Sequence, residues 1–118
     1  MILVDTSVWV DHFRVTDDRL TEMLIDGHVL CHPFVIGELA CGNLRRRAEI
    51  LALLNDLPRL PAVLDDELMT FIDVHRLMGR GLGLIDVHLL AAAFVSQEGL
   101  WTKDRRLAAA ATRLGVTA

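Results

Sequence analysis

The apolar run Ile2-Leu3-Val4 stops at Asp5-Thr6-Ser7, residues that favour the start of a helix, and Val8 to Arg14 can continue as that helix. A strand that hands over directly to a helix is the unit of an α/β fold, and it leaves Asp5 at the carboxyl end of the strand. The pattern recurs later in the chain. Leu100-Trp101-Thr102 is a short strand followed by Asp104, and Arg105 to Leu114 forms a helix that Gly115 stops. Between these units His28-Val29-Leu30-Cys31 reads as another strand, and Pro33 suits the first turn of the helix behind it.

The remaining segments fill in the helices. Asp17 to Asp26 carries Leu20, Met23 and Leu24 at helical spacing and closes at Gly27. Val35, Ile36, Leu39 and Ala40 share a side of the helix begun at Pro33, with Glu38 inside it and Gly42-Asn43 as its end. Leu44 to Leu57 is amphipathic through Ile50, Leu51, Leu53, Leu54 and Leu57 and ends at Pro58. Leu60 to Leu64 is expected as a strand weakened by Pro61, and Asp65-Asp66-Glu67 opens a helix running to about Met78. Gly79-Arg80-Gly81-Leu82-Gly83 is a flexible connection, and Leu84 to Gln97 is an apolar helix with Asp86 in its first turn. Strands alternating with helices predict an α/β fold of three layers, α/β/α, around a short and mainly parallel central sheet.

With 118 residues, 53% of them hydrophobic, the chain is expected to form one domain over residues 1–118. Sixteen acidic against twelve basic residues give a net charge of −4, which excludes a protein that coats nucleic acid by bulk electrostatics. Contact with nucleic acid must then be local, at Arg45-Arg46-Arg47, at Arg80, or at the Lys103, Arg105 and Arg106 group. Cys31 and Cys41 form no C-x-x-C pair and read as free thiols of a reducing compartment. The sequence opens without a basic leader, and its longest apolar run, Leu89 to Val95, is too short to span a bilayer, so a cytoplasmic location is expected.

Chemistry is concentrated in four acids. Asp5 and Asp104 follow strands at their carboxyl ends, Asp86 opens an apolar helix, and Glu38 interrupts an apolar helical face. In a fold that gathers strand ends into one crevice these carboxylates meet, and their mutual repulsion calls for a divalent cation. An all-oxygen set suits Mg²⁺ or Mn²⁺ rather than zinc. Taken singly, Asp5 and Asp104 also fit helix caps, Asp86 a first-turn acid and Glu38 a half-exposed side chain. The histidines at 12, 28, 32, 75 and 88 lack ligand spacing and are read as packing or surface residues. The Gly79, Gly81, Gly83 run does not follow a strand, which excludes a dinucleotide loop.

Met1 to Arg14, reading MILVDTSVWVDHFR, resembles the opening of PIN domains, and in particular of VapC-type toxins of type II toxin–antitoxin modules. The resemblance continues in Val35-Ile36-Gly37-Glu38-Leu39, in Gly83 to Ala93 around Asp86, and in Leu100-Trp101-Thr102-Lys103-Asp104, in the expected order. It implies a PIN-like fold and a metal-dependent endoribonuclease, with Asp5, Glu38, Asp86 and Asp104 as catalytic residues and Asp5, Asp86 and Asp104 as metal ligands. Thr6, Ser7 and Thr102 would be supporting hydroxyls, and Arg80 and Lys103 candidates for RNA contact. Implied partners are an RNA substrate, a VapB-like antitoxin and a second copy of the chain. The apolar surface for these contacts is expected around Trp9 and the helix of Leu51 to Leu54, with an antitoxin groove near Ile36 and Leu51. Where many relatives carry a further acid and then an aromatic, this chain has Arg106 and Leu107, so the acid of a second metal position is missing.

Two rival readings compete with this one, and the residues count against the first. A phosphotransferase with Asp5 as nucleophile lacks the acid expected two positions on, where Ser7 stands. A non-catalytic regulatory or RNA-binding module of the same fold would use the acidic crevice for a partner.

Overall fold

The computed structural model describes all 118 residues. In chain order the elements are β1 (Ile2–Val4), α1 (Thr6–Arg14), α2 (Asp18–Ile25), β2 (Val29–Leu30), α3 (Pro33–Cys41), α4 (Arg47–Asp56), α5 (Asp65–His75), α6 (Leu84–Ser96), β3 (Gly99–Trp101) and α7 (Arg105–Arg113). The sheet has the order β2-β1-β3 and is parallel throughout, with Leu3 opposite Leu30 on one side and Leu100 on the other. Leu3 and Val4 point to opposite faces of the sheet, and both are fully buried, so helices cover both faces. The result is the three-layer α/β/α arrangement with β1 at its centre.

Two groups of helices form around the sheet. Helices α1, α3 and α4 pack in succession, and α5 packs on α6, which in turn contacts β3 and α7. Val87 to Ala93 of α6 are buried without interruption, so this helix runs through the core rather than over it. Its first turn, which carries Asp86, is thereby continuous with a helix anchored in the core. Truncating fully buried Leu89 to alanine would cost about 2–5 kcal/mol. No helix is long and apolar enough to cross a membrane.

Three segments differ from the sequence expectation. Residues 60–64 form no strand: Arg59 makes a single bridge to Cys31, the Leu60 N–H reaches the Cys31 carbonyl, and the chain then leaves the sheet edge just before Pro61, which has no donor to offer. Helix α4 starts at Arg47 rather than near Leu44, because Arg46 adopts a left-handed conformation (φ 52°) that no helix interior accepts. Helix α5 ends at His75, where Arg76 turns left-handed (φ 53°), rather than at Met78. Trp9, expected on the apolar outer surface, is 3% exposed and stacks on Phe13.

Candidate active site

Asp5 directly follows β1 and stands in extended backbone as the residue before α1. It is 6% exposed, and a buried carboxylate needs donors. Two hydroxyls supply them: Ser7 Oγ and Thr102 Oγ1 each donate to Asp5 Oδ2 at 2.7 Å. The same hydroxyls accept from the loop after β3, Ser7 Oγ from Lys103 N–H and Thr102 Oγ1 from Asp104 N–H, both at 3.0 Å. One network therefore fixes the Asp5 carboxylate and ties the ends of β1 and β3 together.

Asp104 is the cap of α7, and its Oδ1 accepts from the N–H groups of Arg106 and Leu107, each at 3.0 Å. Asp86 Oδ2 accepts from Gly83 N–H at 2.9 Å, one half of a capping box at the start of α6. Glu38 is exposed on α3, and its Oε1 accepts from Thr6 Oγ1 at 2.7 Å, which brings it beside the start of α1. All four carboxylates share one property: one oxygen is held by the protein and the other takes no hydrogen bond from the chain. Rotation is restricted while a free oxygen is left at each.

The electrostatics show which of them share a site. Partial burial pushes the pKa of Asp86 above the ordinary carboxylate range; the Gly83 N–H works against this, and the charges of Asp5 and Asp104 add to the rise. Three carboxylates from three helix starts thus act on one another. No three of them stand at the spacing of a ready ligand cluster. Glu38 is linked to them only indirectly, through its bond with Thr6, the residue that follows Asp5. The donors are all oxygens, since His88 on the turn after Asp86 is buried in the core at 4% exposure and His32 is fully buried. Such a set fits a hard divalent cation.

Of the two basic residues expected at the crevice, Lys103 is paired with Asp11 (3.0 Å) and Asp17 (3.8 Å), and Arg80 Nε donates to the Arg76 carbonyl (2.8 Å). Arg106, which the sequence offered only as one of the Lys103, Arg105 and Arg106 group, sends its side chain across from α7 to Gly81. The other signal for it was its departure from the acid usual at that position.

A family model for the PIN domain matches residues 2–112. The chain belongs to the PIN-domain family. This PIN domain is 49% identical over 117 residues to Ribonuclease VapC32 of Mycobacterium tuberculosis (strain CDC 1551 / Oshkosh), which covers 98% of the chain and 94% of that relative. Ribonuclease VapC32 of Mycobacterium tuberculosis (strain ATCC 25618 / H37Rv) matches to the same extent, 49% over 117 residues. Ribonucleases built on PIN domains are generally dependent on divalent metal.

Proposed function

We propose that this protein is a metal-dependent endoribonuclease, the toxin of a VapBC-type toxin–antitoxin module, which hydrolyses RNA phosphodiesters in the crevice of Asp5, Asp86 and Asp104. The observation that carries this reading is the mutual influence of these three carboxylates, raised at Asp86, in a chain 49% identical to a ribonuclease. Mg²⁺ or Mn²⁺ is the cation that suits the oxygen donors. When bound, it supplies Lewis-acid charge that polarises the phosphodiester and acidifies water.

The protein's part is orientation. Asp5, Asp86 and Asp104, each fixed at one oxygen by the protein, would hold the cation, and Glu38 would close the pocket from α3. Ser7, Thr102 and Thr6 keep those carboxylates from turning away. Lys103 can exchange its exposed ion pairs for RNA phosphate at little cost, since such pairs are worth about 0–1 kcal/mol.

The test is incubation of pure protein with a mixed RNA pool in Mg²⁺, in Mn²⁺ and in chelator, beside Asp86→Asn. Cleavage confined to the wild type with metal is the expected result. Cleavage that persists in chelator, or in Asp86→Asn, would overturn the assignment, and binding without cleavage would turn the protein into a non-catalytic module.

Two associations belong to the same reading. An antitoxin tail carrying arginine would fill the acidic crevice, pairing bidentately with the carboxylates, and lay apolar residues into the adjoining cleft. That cleft measures about 460 Å³ and runs from Thr6 and Glu38 to Phe13, Leu39 and Ile50. It replaces the expected surface around Ile36 and Leu51, which pack partly buried against the core. A homodimer is proposed through the exposed apolar side chains of α5 and α6, among them Val74 and Val95, in place of Trp9. Light scattering that gives a monomer at micromolar concentration removes the dimer, and equal antitoxin affinity for wild type and Asp5→Asn/Asp86→Asn removes the arginine mode.

A further inference from the structure

We propose that Arg106 grips an RNA backbone phosphate flanking the scissile bond, a role that rests on the reading of the crevice as a ribonuclease site. Arg106 is in the first turn of α7, directly after the cap Asp104, whose Oδ1 accepts from its backbone N–H. Its side chain crosses to the loop before α6. A Cβ built on Gly81 would lie 2.5 Å from Nη1, 2.7 Å from Cδ and 3.0 Å from Cζ of Arg106. The guanidinium therefore rests on bare glycine backbone, at a residue whose φ of +74° also favours glycine. Two residues on, Gly83 holds Asp86 through its N–H. Arg106 thus spans the two helix starts that present Asp104 and Asp86.

Arg106 makes no ion pair in the chain, whereas Lys103 is paired with Asp11 and Arg80 is bonded to Arg76. A permanently charged planar fork is left exposed at the lip of an anionic crevice, supported from beneath and unspent. The ligand class that satisfies both features is a phosphodiester chain: its scissile group enters among the carboxylates with the cation, and a neighbouring phosphate meets the guanidinium in bidentate fashion.

The experiment is steady-state cleavage of a labelled single-stranded RNA oligonucleotide in Mn²⁺ across a series of salt concentrations, for wild type, Arg106→Gln and Arg106→Lys. Mn²⁺ binding to each RNA-free protein is measured by calorimetry. Arg106→Gln is expected to raise KM roughly 10-fold with kcat nearly unchanged, because the contact is equal in ground and transition states. Its plot of log(kcat/KM) against log salt should be shallower by about 0.7, the loss of one phosphate contact to a single strand. Arg106→Lys, which keeps charge but loses the fork, should fall between the two. Mn²⁺ affinity should not change. An unaltered KM and salt slope in Arg106→Gln would overturn the proposal, as would weakened Mn²⁺ binding, which would mean that Arg106 acts through the carboxylates. A wild type that cleaves no RNA would fail the reading of the crevice itself and this inference with it, a result distinct from either of those.

Discussion

Three junctions in this molecule use the same backbone device, a parallel strand followed within one to three residues by a helix whose capping residue stands in extended backbone. At β1–α1 that residue is Asp5, at β3–α7 Asp104, and at β2–α3 His32. The first two belong to the acidic crevice. The third is roofed by Phe34 and His88 and is fully buried, its Nδ1 accepting from Phe34 N–H while Nε2 has no partner. Asp5 is nearly as buried, yet two hydroxyls serve it. Burial, with a smaller contribution from His88, drives the His32 pKa down to about 4 and keeps the ring neutral. Position at a strand's end thus decides where a side chain sits. The donors and charges around it decide whether the place becomes chemistry or core.

The strongest probe of this contrast removes a carboxylate from the crevice. Asp86→Asn or Asp5→Ala is expected to reduce RNA cleavage by more than about 100-fold, since even residues one step behind a metal ligand cost 10–100-fold. Asp86→Asn should leave the melting temperature of the metal-free protein nearly unchanged, since it relieves repulsion from Asp5 and Asp104, whereas Asp5→Ala strands the Ser7 and Thr102 hydroxyls and should cost about 1–3 kcal/mol. Near-wild-type cleavage by both purified variants would place the chemistry elsewhere.

At the closed junction the effect falls on stability and on pH. With His32 neutral in the folded chain to about pH 4 and titrating near 6.5 when unfolded, the unfolded state binds the extra proton as pH falls. Stability from this residue is whole above about pH 6.5 and is lost progressively down to about pH 4, by at most about 3 kcal/mol. His32→Asn keeps a capping acceptor but cannot take up a proton in this range. Denaturant titrations should show it less stable than wild type at neutral pH, with the gap narrowing as the pH falls from 6.5 to 4. A gap independent of pH would show that His32 is not held neutral.

Smaller effects lie in the hydroxyl network. Thr102→Val removes the donor to Asp5 Oδ2 and the acceptor of Asp104 N–H, at a cost of about 1–3 kcal/mol in stability and roughly 10-fold in cleavage. A loss of stability without loss of cleavage would mean that Ser7 alone orients Asp5. Glu38→Gln leaves an acceptor for Thr6 on an exposed helix face, so cleavage should fall less than about 10-fold, measured on the same RNA.

Much of this was legible in the chain because it depends on neighbours in sequence. The run from Ile2 to Ser7 contains its own strand, its own cap and its own helix start, and so does the run from Leu100 to Arg105. The seven-residue buried stretch of α6 is visible as hydrophobicity that only His88 interrupts. What was not legible depends on residues far apart. Thr6 meets Glu38 across 32 positions, and Arg106 lies on Gly81 because two loops come together, neither of which carries a local signature. Trp9 and His32 illustrate another limit: both side chains suit a surface or a core equally well, and tertiary packing alone buries them. Residues 60–64 have strand-like composition, but the sheet edge offers them only the single bridge at Arg59.

The hydrogen bond from Thr102 to Asp5 spans 97 residues, and β1 pairs with β3 over the same distance. Closing a loop of that length is slow rather than thermodynamically prohibitive, because closure entropy grows only with the logarithm of length while rates fall steeply with contact order. On the ribosome, the central strand must therefore wait, unpaired on that side, until nearly all of the described chain has been made. Asp5 receives its orienting hydroxyl from Thr102, and Asp104 arrives, in that same late step. A nascent or prematurely terminated chain cannot assemble the crevice, so under the proposed function the order of synthesis itself makes completion of the fold the condition for cutting RNA.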